Sequence, residues 1–132
     1  MTPQTQTNLH IEAPDGTVIQ KGSCYQAAVA ALMDLPLEEV PNFIEYADDV
    51  WYSIFCDFIR DKGFEYAWSY EVPKGYSIGS GISPRARKDK KITHAVICFD
   101  GEIVHDVHPD RTGLIGPINY YETIRPRLTE AP

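Results

Sequence analysis

Three residues far apart in the chain have the types needed for acyl chemistry: Cys24, His94 and Asp106. Cys24 opens an apolar stretch, "SCYQAAVAALM". A thiol attacks as its thiolate, so it needs surroundings that favour the anion or a base beside it. The first turn of a helix favours the anion, and its backbone N–H groups can hold an oxyanion. His94 begins an apolar run, "HAVICF", from whose end an imidazole can project toward the helix and take the thiol proton. A third group, acid or amide, must then orient the ring. Taken alone, Cys24 reads more readily as a buried structural thiol. The case for a nucleophile rests on the partners.

The segment "HAVICFDGEIVHD" supplies the acid by strand arithmetic. It contains an Asp-Gly turn at 100 and 101. A three-residue loop, Phe99-Asp100-Gly101, with glycine in the left-handed region, pairs Cys98 with Glu102, Val96 with Val104 and His94 with Asp106. Directly opposed residues share a face, with β-carbons about 5 Å apart. A two-residue loop shifts the pairing by one and separates His94 from Asp106. The triad therefore requires the longer loop, or another arrangement of the same parity.

The elements that must position these groups follow from local pattern. Ser23 is an expected N-cap, with Gln26 three residues on as its capping-box partner, and Cys24 becomes the first helical residue. Ala27 to Met33 is apolar almost all round, the pattern of a helix buried on most sides, and Pro36 terminates it. "LEEVPNF" reads as a short helical turn and a loop. A second helix is expected over 48–62, where Trp51, Ile54, Phe55, Phe58 and Ile59 recur at helical spacing before Gly63. Beyond it, "FEYAWSYEV", "YSIGSG", "THAVICF", "EIVHDV" and "INYYETI" read as strands. Helices first and strands after predict an α+β domain with a mostly antiparallel sheet.

The 132 residues suit a single domain spanning 1–132, with 1–12 expected as a loose polar lead-in. A hydrophobic fraction of 43% against 23% charged is ordinary globular usage. A net charge of -7 argues against nucleic acid as a partner. No run reaches membrane-spanning length, and the polar start lacks the features of a signal peptide, so a cytoplasmic protein is expected. Three cysteines with no close pair fit neither a disulfide scaffold nor a zinc ribbon. "RARKDKK", 85–91, carries +4 and leaves -11 on the rest. It reads first as a solvated loop, and alternatively as an anion-binding lip.

"GSCYQAAVAALMDLPLEEVPNF", "SPR" at 83–85, "HAVICFDGEIVHDVHP" and the following "TGL" resemble the papain-like cysteine peptidase superfamily. Within it, they are most similar to small phage and bacterial proteins of mostly unassigned function. The resemblance spans roughly residues 20–115, and the cysteine helix and the His-to-Asp hairpin are its specific parts. It implies a papain-like fold, and the host cytoplasm if the protein is phage-encoded. Two positions depart from the pattern. Val107 follows Asp106 where related enzymes often carry proline. Val18 occupies the position of the peptidases' oxyanion glutamine, leaving Gln20 as the nearest upstream candidate for that role.

Cys24 then attacks, His94 shuttles the proton, Asp106 orients the ring, and the Cys24 N–H, with Gln20, holds the oxyanion. The substrate would be a peptide, a protein or a small amide, with no cofactor. Ser83, Arg85 and His108 are substrate-binding candidates, against an ordinary proline turn for the first two and a turn cap for His108. Cys56 and Cys98 read as core, and His10 as surface. Trp51, Trp68 and Tyr76 read as core or cleft wall. "HDVHPD" has metal-ligand types, but adjacent His105 and Asp106 point to opposite faces of a strand, so no metal is expected. The rival reading is a non-catalytic protein of the same fold that sequesters a host protein or small ligand in its cleft. A hyper-reactive Cys24 favours the enzyme, and full activity after Cys24→Ala favours the binder.

Overall fold

The computed structural model describes residues 1–86 and 92–128. Its elements run in the expected order. A small two-stranded ribbon, β1 (Ile11–Glu12) and β2 (Val18–Gln20), precedes helix α1 (Cys24–Met33). Two single 3-10 turns, Leu37–Glu39 and Phe43–Glu45, lead to helix α2 (Trp51–Asp61). Then come β3 (Phe64–Ser69), β4 (Tyr76–Ile82), β5 (Thr93–Phe99), β6 (Glu102–Asp106) and β7 (Ile115–Pro126). The last five form one sheet in the order β3-β7-β4-β5-β6, and every pairing is antiparallel. The fold is α+β. Among the described residues no helix is long and apolar enough to cross a membrane.

Helix α1 is the centre of the core because of its composition. Ala27, Ala28, Val29, Ala30 and Ala31 have no exposure at all, and small side chains let the sheet approach closely on one side and loops on the others. The sheet answers with Ile78, Ala95, Ile97 and Ile124. Helix α2 is amphipathic instead. Phe55 and Ile59 join the same core, while Tyr52, Asp57 and Arg60 stay in solvent. The opposite face of the sheet carries a smaller cluster of Val96, Cys98 and Tyr121, with Leu114 and Ile118. Gly79 permits that packing: a β-carbon there would lie 2.8 Å from the Cys98 sulfur.

Three local expectations are corrected. Ser23 stands at the N-cap but makes no capping bond. Its hydroxyl takes the Asn8 N–H instead, and Gln26 turns away to donate to the Val40 carbonyl. Both side chains tie neighbouring segments to the helix rather than closing its end. The first ten residues have no helix or strand, yet they are not loose. Thr2 N–H bonds to Ala31, Gln6 N–H bonds to Val107, and the N-terminal ammonium lies 3.0 Å from Asp34. Trp68 and Tyr76 belong neither to the core nor to the cleft. They are 58% and 42% exposed, on strands whose outer face is aromatic.

Candidate functional site

The β5–β6 turn is shorter than expected. Phe99 pairs with Glu102, so the loop is the two residues Asp100 and Gly101, with φ 50° and 86°. Two successive positive φ values make a type I′ turn, whose twist suits a hairpin, and Asp-Gly is a favoured pair for it. Continued regularly, that register would put His94 and Asp106 on opposite faces. A β-bulge intervenes: Cys98 pairs with Ile103 but Ile97 with His105, leaving Val104 as the extra residue. Val96 then faces Asp106. His94, two residues back, is the diagonal neighbour on the same face. Its Nε2 lies 2.6 Å from Asp106 Oδ1.

Asp106 is also held by the turn after it. The His108 N–H donates to Oδ1 at 2.9 Å and the Gly113 N–H to Oδ2 at 2.8 Å. Arg111 donates to the Asp106 carbonyl and to Thr5, binding the turn to the N-terminal segment. Burial works against ionisation of Asp106, but the bonds from His94 and the two backbone amides outweigh it and lower its pKa to about 2. For His94 too, burial disfavours the charged ring. The bonds to the Asp106 carboxylate and the Cys24 thiol overcome it and raise its pKa to about 9. With Nε2 committed to Asp106, Nδ1 is the ring nitrogen left for the thiol. Cys24 itself is the first residue of α1, half-buried, and its N–H has no intrahelical acceptor.

Two cavities open on this centre, and both are lined by Cys24 and His94. The first, about 430 Å³, is walled by aromatic rings, among them Tyr25, Phe43, Trp51 and Tyr66. The second, about 540 Å³, is polar, with Gln6, Glu12, Ser83, Arg85 and His108 on its wall. The three substrate-binding candidates thus gather on one side. Ser83 Oγ accepts the Arg85 N–H, as in a turn. Arg85 Nη1 contacts both carboxylate oxygens of Asp110, at 3.1 and 2.9 Å. His108 stacks edge-on to His94 with ring centroids 6.1 Å apart. Burial first, then the Arg85 charge, lowers its pKa. Of the basic run only Arg85 and Ala86 are among the described residues, and the anion-lip expectation otherwise lies outside them.

Gln20 is not brought to the site. Its amide donates to the Leu9 carbonyl at 2.7 Å, and it lines neither cavity. Gln20, expected as an oxyanion donor, thus ties the chain at Leu9 instead of facing Cys24. His10, expected at the surface, is partly buried and lines the polar cavity. Cys98 is fully buried, and burial pushes its thiol up to about 11. Cys56 packs half-buried against the core. Among the described residues no group of three His, Cys, Asp or Glu side chains is arranged to hold a metal ion. His105 instead contacts the Gln4 carbonyl at 2.7 Å.

The aromatic cavity also holds a set that sequence reading passes over. Glu122 on β7 receives hydrogen bonds from Tyr25 at 2.7 Å and from Tyr66 at 2.6 Å. "INYYETI" shows only a strand, with nothing to single out its acid. No family model matches the chain, and neither a curated protein nor a solved structure does.

Proposed function

We propose that the protein is a cysteine-dependent hydrolase or acyl transferase of papain-like fold, acting on an amide or peptide bond. The observation that carries this reading is the position of His94, hydrogen-bonded to Asp106 and sharing the walls of both cavities with Cys24 at the start of α1. With the thiol proton already on His94, Cys24 attacks the carbonyl carbon as the thiolate. The carbonyl electrons move to oxygen, which the free Cys24 N–H stabilises. His94 then donates its proton to the leaving nitrogen, the C–N bond breaks, and a thioester remains. Water, or an acceptor nucleophile, attacks that thioester and gives up its proton to His94, which restores the thiol. Asp106 stays ionised throughout and holds the imidazolium.

Catalysis has to be separated from binding alone. Wild-type and Cys24→Ala proteins are incubated with a bacterial peptide extract and the new termini compared by mass spectrometry. Products made by the wild type and absent with Cys24→Ala are expected, with a transient acyl adduct on Cys24. An identical, unchanged extract with both proteins would point to the binding protein of the same fold.

A further inference from the structure

The triad has no use for Glu122. The residue is nearly as buried as Asp106, at 5% exposure. Oε2 accepts both phenolic hydrogens, and among the described residues no hydrogen bond uses Oε1. Tyr25 and Tyr66 remain neutral donors, since burial and the adjacent carboxylate raise both phenols well above their usual range. No cation among the described residues pairs with Glu122. Lys21, on the wall of the same cavity, lies 3.6 Å from Asp48 and is more than half exposed. A buried carboxylate without a countercharge is costly, so such a group usually meets its partner inside the fold or from outside.

The surroundings say what that partner would be. Glu122 lines the cavity of about 430 Å³ that also reaches Cys24 and His94. Much of the remaining wall is aromatic, with Phe43, Trp51, Tyr66 and Tyr120. Ring faces attract a desolvated cation, and a carboxylate gives it a charge-assisted hydrogen bond. A neutral side chain would leave the carboxylate uncompensated, and an anion would be repelled. We infer that this cavity takes a cationic side chain of the substrate, an alkylammonium or guanidinium group, and so delivers the neighbouring carbonyl to Cys24. This deepens the hydrolase reading and rests on it only in taking the cation to belong to the substrate.

The test uses a Cys24→Ala, Trp68→Phe protein. The first change prevents turnover. The second leaves Trp51, in the cavity wall, as the only reporter of the two tryptophans. n-Butylammonium, n-butylguanidinium and neutral n-butanol are titrated against its fluorescence at fixed ionic strength. Both cations should saturate at concentrations at least ~10-fold below n-butanol, the scale of one hydrogen bond to a charged group. Adding Glu122→Gln should bring all three probes to similar midpoints. Equal binding of the three probes before that change, or a cation preference that survives it, overturns the proposal. Should Glu122→Gln lose its fold by circular dichroism, Tyr66→Phe in the same background replaces it. Removing one of the two phenols that orient the carboxylate should narrow the cation preference, and an undiminished preference overturns the proposal. Cation binding by a protein whose wild type hydrolyses nothing would remove the hydrolase reading and leave this inference standing.

Discussion

Asp106 and Glu122 are both carboxylates with almost no exposure, 4% and 5%, but the protein surrounds them differently. Asp106 meets an imidazole and two backbone amides, spread over both its oxygens. Glu122 meets two neutral phenols, both on the same oxygen. The first arrangement is complete within the chain. It fixes one ring in one orientation, which is what a group acting through His94 requires. The second leaves negative charge facing a cavity. A buried acid with its full set of partners reads as internal positioning, and one with a partial set reads as half of a recognition site.

Truncating each acid to alanine should separate the two most strongly. Asp106→Ala leaves His94 buried without its partner and strands the His108 and Gly113 amides, so a loss of about 3–5 kcal/mol is expected, the scale of breaking a buried pair. Glu122→Ala removes the acceptor of two phenols and also an uncompensated charge, so a smaller loss of about 1–3 kcal/mol is expected. Urea midpoints at neutral pH measure both. Equal losses would mean that Glu122 is as fully integrated as Asp106, and the contrast would fail.

A finer distinction lies in pH. The His94 pKa rises from 6.5 to about 9 on folding, so its contribution to stability is complete below 6.5 and lost as pH climbs through about 9. That of Asp106 falls from 3.8 to about 2, so its contribution is present above 3.8 and lost as pH drops through about 2. Wild-type stability should show a plateau between roughly pH 4 and 6.5, with a limb on either side. Asp106→Asn should shrink both limbs, and Glu122→Gln should leave them in place because it touches neither partner. Limbs that persist undiminished in Asp106→Asn would assign them to other groups.

The contrast also explains what the sequence disclosed. Helix α1 was legible because Ala27 to Met33 is apolar almost all round, and its start at Cys24 followed from Ser23 as the N-cap, a position Ser23 holds without making the capping bond. The meeting of His94 with Asp106 was legible only as a matter of parity. The Asp-Gly pair marked the turn, but its length depended on backbone twist, and nothing in "EIVHD" marks Val104 as the bulged residue that restores the parity. Glu122 was illegible for another reason. Its donors lie 97 and 56 residues away, and no periodicity or short motif connects them. The N-terminal segment looked loose because its composition is polar. Backbone groups such as Thr2 N–H and Gln6 N–H hold it, and composition does not report on those.

The central claim is that Asp106, through His94, makes Cys24 the reactive thiol. Its most direct test is the rate of iodoacetamide labelling at each cysteine, followed by peptide mass spectrometry, in wild type and in Asp106→Asn. Cys24 should label at least ~10-fold faster than Cys56 in the wild type, because it alone has a base beside it. Cys98, buried and pushed up to about 11, should label only on unfolding. In Asp106→Asn the Cys24 rate should fall toward that of Cys56 with the fold intact, since an amide neither fixes the ring tautomer nor stabilises imidazolium. A Cys24 rate equal to that of Cys56 in the wild type, or one unchanged by Asp106→Asn, would contradict the account.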